Sequence, residues 1–340
     1  MHNTPSRRLF LAQTLGGVAA LGLKVSAQEP APASEHELAV ISGKPRERGR
    51  QYGSLFKDKI RSFLEREIYS SFSGKPNTKE AMLRFAGACG KAITAYAAPL
   101  QEELEGIAEG SGLAFEEIVL ITSHEELWHR GLVPAIDHCT VFGASAPDTT
   151  GDETFVCQTW DWMESVYGMS SILHWKRPEG PSVLAYSYPG LWTGAGMNTS
   201  GLALCWHTGS GDGKEPRVGI PAYVLIAQIL YQETLKGALD EIRRATHSGW
   251  FVFLIGDGRG NFATVRGTPK NLEIIPDAKA NGGRIRAEGD RKVDLPGLEA
   301  HCPRVKRSNT VDAMIFNCTK KELHVTRRAG GVTPWKKFTF

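Results

Sequence analysis

From Arg46 to about residue 119 the apolar positions recur at intervals of three and four. Arg50-Gln51-Tyr52-Gly53-Ser54-Leu55-Phe56 leads into Ile60, Phe63, Leu64 and Ile68, the stripe of a helix with one face turned to a core. The same spacing predicts helices over 79–96 and 99–110. After Cys139 the period changes to two, which predicts strands at 140–146, 154–161, 170–176, 182–187, 201–206, 251–256 and 261–266. One long helix is expected from 221 to 245, and a closing strand pair at 310–316 and 322–326. Strands joined by short turns, with few helices between them, imply a mostly antiparallel sheet system covered by helices, an α+β fold rather than a doubly wound one.

The first of these strand pairs reads HCTVFGASAPDTTGDETFVCQTWDW from His138 to Trp162. Pro147-Asp148-Thr149-Thr150-Gly151-Asp152 is turn chemistry between two alternating runs. A hairpin symmetric about Thr150 puts Cys139 across from Asp161. Trp160 and Trp162, two apart, then share one face, and Asp161 takes the other.

The chain divides by composition into four parts. Residues 1–27 carry Ser6-Arg7-Arg8-Leu9-Phe10-Leu11, an apolar run to Leu23 and the small-residue site Val25-Ser26-Ala27, a twin-arginine export signal. The run falls short of the ~20 apolar residues of a spanning helix, so a cleaved signal, a periplasmic or secreted destination and no stable membrane anchor are expected. Residues 28–37, with Pro30-Ala31-Pro32-Ala33-Ser34, form a linker; 38–138 is a helical segment and 139–340 a β-rich one. A net charge of +3 from 40 basic and 37 acidic side chains gives no nucleic-acid footprint, and Lys320-Lys321 and Arg327-Arg328 read as solvated strand ends. The six cysteines are widely spaced and form no C-x-x-C pair, which argues against a stapled scaffold or zinc ribbon and for buried apolar fillers.

Several candidates for chemistry can be weighed on spacing. His124-Glu125-Glu126-Leu127-Trp128-His129 approaches the zinc helix H-E-x-x-H, but its histidines are five apart and point about 140° from one another on a helix. It reads as a helix cap with partly exposed side chains, and no metal is expected. Gly256-Asp257-Gly258-Arg259-Gly260 precedes a strand, not a helix, so it is a hairpin turn rather than a phosphate loop. A G-x-S-x-G elbow is absent, and Ser210 lies in a loop. His207 or His301 could approach Cys139 in a papain-like pairing.

Gly43-Lys44-Pro45-Arg46-Glu47-Arg48-Gly49-Arg50-Gln51-Tyr52-Gly53, the Cys139-Thr140-Val141 strand, Gln158-Thr159-Trp160-Asp161-Trp162, and Gly196-Met197-Asn198 before Gly201-Leu202-Ala203 occur in an order that resembles the isopenicillin N acyltransferase (acyl-CoA:6-aminopenicillanic acid acyltransferase) family of N-terminal nucleophile hydrolases. The resemblance implies an αββα sandwich of two mostly antiparallel sheets. It also implies a precursor that cuts itself between His138 and Cys139, leaving an α/β heterodimer from one chain. Cys139 would then be nucleophile and base in one residue, because a free α-amine of pKa about 7.7–8.0 can take the proton of a thiol near about 8.5. The same resemblance gives Asp161 the task of orienting that amine and Asn198 a share of the oxyanion site. Trp160, Trp162 and His207 become substrate-binding candidates for a small acyl amide or thioester, and no cofactor is implied. Three departures stand out: His138 where glycine is common, Trp250 where an asparagine is usual, and a short charged stretch from Ile275 to His301 without the usual His-Thr-Asn-His motif and arginine-bearing helix. Arg304 and Arg307 are the candidate substitutes. The alternatives are a cysteine amidase that is never cut and a binding protein on the same fold.

Overall fold

Every residue from Phe155 to Asp161 is buried, so this strand is covered on both faces. Two stacked sheets clad in helices supply that cover. The structure, a computed structural model, describes residues 35–72, 78–128, 139–209, 216–276, 285–286 and 291–340; the expected export signal over 1–27, His129, His138 and Ser210 lie outside the described residues. In chain order the elements are β1 (Leu38–Ile41), α1 (Pro45–Leu55), α2 (Lys57–Phe63), a π-helical turn (Leu64–Tyr69), α3 (Ser70–Phe72), α4 (Lys79–Tyr96), α5 (Ala98–Ser111), α6 (Phe115–Thr122) and α7 (His124–Trp128). Then follow β2 (Thr140–Ala144), β3 (Phe155–Asp161), β4 (Ser171–Trp175), β5 (Val183–Tyr188), β6 (Leu191–Asn198), β7 (Ala203–Thr208), α8 (Ala222–Leu230) and α9 (Leu235–Arg244). The chain closes with β8 (Phe251–Gly256), β9 (Phe262–Gly267), β10 (Leu272–Pro276), α10 (Leu295–Val305), β11 (Thr310–Asn317), β12 (Glu322–Arg327) and β13 (Lys336–Thr339).

The eight-stranded sheet runs β1-β4-β5-β6-β7-β8-β9-β10 and the five-stranded sheet β13-β12-β11-β3-β2. All pairings are antiparallel except β1 with β4. Side-chain alternation in the smaller sheet separates two cores. Cys139, Val141, Val156, Trp160, Met314 and Phe316 join the main core between the sheets, whereas Phe142, Phe155, Cys157, Ala313 and Ile315 pack outward with Leu298 and Cys302 of α10. With α8 packed on β6 of the other sheet, the layers are α, β, β, α, as the α+β expectation had it.

Differences from the sequence expectation have local causes. The helix expected over 221–245 is two, because the chain turns at Tyr231 and Thr234 caps a fresh start by accepting the Gly237 N–H. β1, β6, β10, α10 and β13 were not expected; β1 belongs to the segment read as largely helical. The hairpin register is one residue off symmetry: Thr140 pairs with Thr159, which puts Cys139 beside Trp160 rather than Asp161. Arg327 is no solvated strand end. It is buried against both carboxylate oxygens of Asp312 and the Ser170 hydroxyl. The Gly49 and Gly53 repeat of α1 meets Gly106 and Gly110 of α5 backbone to backbone; a Cβ on Gly106 would lie 2.2 Å from the Arg46 carbonyl oxygen.

Candidate active site

Cys139 enters the hairpin with its side chain turned into the core between the sheets. Its Sγ accepts the Asp161 N–H at 3.4 Å. The second polar group at the sulfur is the Gln158 amide, and the fold explains its aim. β6 and β7 pair only at Gly196–Leu204 and Met197–Ala203, so the Trp206 N–H further along β7 needs another acceptor. Gln158 Oε1 supplies it at 3.0 Å from across the sandwich. The buried Nε2 of the same amide has no hydrogen-bond partner elsewhere among the described residues and acts to lower the thiol pKa, as does the Asp161 N–H. Burial is the larger effect, and with the Asp161 carboxylate it pushes the thiol up to about 12. In the uncut chain Cys139 is therefore a protonated thiol beside two donors that favour its anion.

The Asp161 carboxylate points off that face. Thr310 Oγ1 donates to its Oδ1, and Arg307 Nε stands 3.5 Å from Oδ2. A register shift in β11 between Thr310 and Asp312 brings Thr310 opposite Asp161. Of the two arginines considered from sequence, Arg307 reaches this carboxylate, while Arg304 lines a separate cavity of about 160 Å³ beside α10.

Trp160 and Trp162 share the inward face with ring centroids 6.0 Å apart. Tyr188 lies 5.8 Å from the first and 4.8 Å from the second, Tyr186 5.2 Å from Trp160, and Trp206 6.4 Å. The tyrosines carry the cluster into a buried polar network: the Tyr186 hydroxyl lies 3.1 Å from that of Tyr188 and donates its one proton to Asp312, the carboxylate held by Arg327 and 3.4 Å from His36.

His124, Glu125 and Glu126, read as a partly exposed cap, are all buried, which corrects that reading. The short α7 presses them under α8 and β7. Glu125 accepts from Thr208 Oγ1 at 3.0 Å and Tyr223 OH at 3.2 Å, and Glu126 Oε1 accepts the Ala222 N–H that opens α8. Burial raises these carboxyls to about 7 and about 8 and lowers His124 to about 4. The 3.7 Å contact between His124 Nε2 and Glu125 is thus not an ion pair near pH 6, where both groups are neutral. No local signal marked this burial, because Thr122-Ser123-His124-Glu125-Glu126 is a run of five polar residues.

The other sequence candidates have these partners. Asn198 is fully buried at the end of β6; its Nδ2 donates to the Leu230 and Gln232 carbonyls and its Oδ1 accepts from the Ser200 and Leu202 N–H groups. Its amide ties the end of α8 to the β6–β7 turn. His207 engages the Thr208 carbonyl through Nδ1 at 2.9 Å. His301 packs edge-on against Phe142, on the face of β2 opposite Cys139. All six cysteines are free. Among the described residues no group of three His, Cys, Asp or Glu side chains is placed to hold a metal, and no helix is long and apolar enough to cross a membrane.

Comparison with known proteins gives a family model, acyl-coenzyme A:6-aminopenicillanic acid acyl-transferase, that matches residues 149–285. The match includes Gln158, Trp160, Asp161, Trp162, Asn198 and His207 and begins ten residues beyond Cys139. Solved structures similar to this chain include penicillin V acylase from Agrobacterium tumefaciens, at 12% identity and TM-score 0.36 over 58% of this chain and 85% of that one. Another is a mutant of conjugated bile acid hydrolase from Clostridium perfringens, at 11% identity and TM-score 0.41 over 59% of this chain and 92% of that one. Over residues 149–285 the chain thus resembles an acyl-transferring family.

Proposed function

We propose that this chain is an exported cysteine N-terminal nucleophile amidase or acyltransferase that becomes active when the bond between His138 and Cys139 is cut. The observation that carries the reading is the position of Cys139, at the first residue before β2, with its sulfur on the Asp161 N–H in the core between the sheets. A thiol held near 12 is a poor nucleophile at neutral pH. A cut ahead of it creates an α-amine, ordinarily of pKa about 7.7–8.0, within reach of the same sulfur.

In the mature site the amine takes the thiol proton, and sulfur attacks the carbonyl carbon of an amide or thioester. The Gln158 amide and the Asp161 N–H face the charge that develops there. The proton returns from the amine to the leaving nitrogen or sulfur, which departs. Water or an acceptor amine then attacks the thioester at Cys139, gives up its proton to the α-amine and releases the acyl product. Asp161, fixed by Thr310 and Arg307, holds the end of the hairpin against which the new terminus is set. The aromatic side chains around Trp160 and Trp162 line the acyl side.

The test is thiol labelling. Iodoacetamide at one equivalent and pH 7.5 is expected to modify Cys139 before the five buried cysteines in the mature protein, and Cys139→Ala to abolish turnover of acyl amides. Uniform or absent labelling of Cys139 makes the chain a binding protein instead. Export rests on Ser6-Arg7-Arg8-Leu9-Phe10-Leu11: replacing both arginines by lysine is expected to keep the protein in the cytosol, and unchanged export in that variant contradicts the twin-arginine route.

A further inference from the structure

Cys139, Trp160 and Trp162 share the inward face of the hairpin, and the sulfur lies on the N–H of the residue just before Trp162. An acyl chain leading away from the sulfur on this face runs along the tryptophans. The space beyond them is filled by the chain itself. The His124 ring lies parallel to Trp162 at 5.5 Å and 5°, and parallel to Tyr223 at 5.7 Å and 18°. Three flat rings make one stack, with histidine as the middle member. Phe63 closes it from the side, edge-on to His124 at 6.3 Å and to Trp162 at 5.9 Å.

The middle ring differs from its neighbours in origin. Trp162 and Tyr223 belong to the part of the chain after Cys139; His124 comes from α7, ahead of it. Its Nδ1–H donates to the Ile121 carbonyl at 2.7 Å, which fixes the ring plane. Burial keeps it neutral above about pH 5, so it acts as a flat, uncharged filler.

We propose that His124 is a specificity-determining residue: it occupies the far end of the acyl subsite between Trp162 and Tyr223 and limits the site to acyl groups too small to need that slot. This rests on Cys139 being the nucleophile, but the slot itself is testable without that chemistry. Removing the ring leaves two parallel aromatic faces spaced for another planar ring.

The experiment uses the full chain with His124→Ala and His124→Phe, the second refilling the slot with a ring of similar shape. The first readout is the rate of Cys139 alkylation by N-benzyl-iodoacetamide divided by that by iodoacetamide. His124→Ala is expected to raise the ratio at least tenfold, and His124→Phe to leave it within about twofold of wild type. The second readout, in a Cys139→Ser background, is quenching of tryptophan fluorescence by phenylacetate, expected to saturate only with alanine at 124. An unchanged ratio together with no saturable quenching in His124→Ala overturns the proposal, as does an equal rise in His124→Phe, which would mean general loosening. Saturable quenching without preferred labelling of Cys139 by either reagent supports the slot and overturns the nucleophile.

Discussion

Asp161 divides its work between side chain and backbone. The carboxylate is held by Thr310 and Arg307, while the N–H meets the Cys139 sulfur, so one residue joins β2, β3 and β11 at the site. Cys139 and Asp161 were legible in the sequence because the features that expose them are local: an alternating pair of strands and a carboxylate between two tryptophans. Gln158 was only part of a motif there, since its role depends on where β6 and β7 part, which no local pattern reveals. Asn198 was the opposite case. Its Met-Asn-Thr-Ser-Gly setting fits a turn as well as an oxyanion site, and its amide makes four hydrogen bonds, two of them fully buried, to the turn and to the end of α8. At a net contribution of about 1 kcal/mol for each such bond, Asn198→Ala is expected to lose about 2–4 kcal/mol of stability in urea unfolding. A variant of wild-type stability with activity down a hundredfold would instead support an oxyanion role for Asn198.

At the scale of elements, the acid-rich α7 is the least legible piece and the most consequential for pH. Reading the histidine spacing for metal missed that His124, Glu125, Glu126 and Leu127 are all buried. Glu126 receives the first N–H of α8, which has Pro221 as its N-cap and no side-chain cap of its own, so a carboxyl that titrates holds a helix terminus. Burial raises Glu126 from 4.5 to about 8. A carboxyl with a raised folded pKa keeps the proton that the unfolded chain releases. Its contribution to stability is therefore complete below about pH 4.5 and is lost as pH climbs through about 8. Glu126→Gln keeps the acceptor oxygen and removes the titration. Urea midpoints measured from pH 5 to 9 are expected to fall less steeply for the variant than for wild type, with the gap widest above pH 8; the slope left in the variant is that of Glu125, which burial raises to about 7. Parallel curves would show that Glu126 does not titrate with folding. The helix break at Tyr231–Thr234 was hidden for a different reason: apolar periodicity runs through it, and only the Thr234 cap marks the restart.

For the molecule as a whole, the layer order followed from the sequence because a change of period from 3.6 to 2 at Cys139 separates helix from strand. Strand order did not follow. β1, from the segment ahead of Cys139, pairs in parallel with β4, and β3 lies between β2 and β11, whose sequences are far apart. The two parts share one core: α7 lies under Tyr223 and Thr208, and α1 carries Arg48, which pairs with Glu103 at 2.5 Å and Glu179 at 2.6 Å. A backbone cut at 138–139 therefore leaves two chains that remain one folded body. The mass of the purified protein under denaturing, reducing conditions tests this most directly. The account predicts two polypeptides, one ending at His138 and one running from Cys139 to Phe340, and a single uncut, inactive chain for Cys139→Ala. A wild-type protein that remains one chain while hydrolysing amides would contradict it.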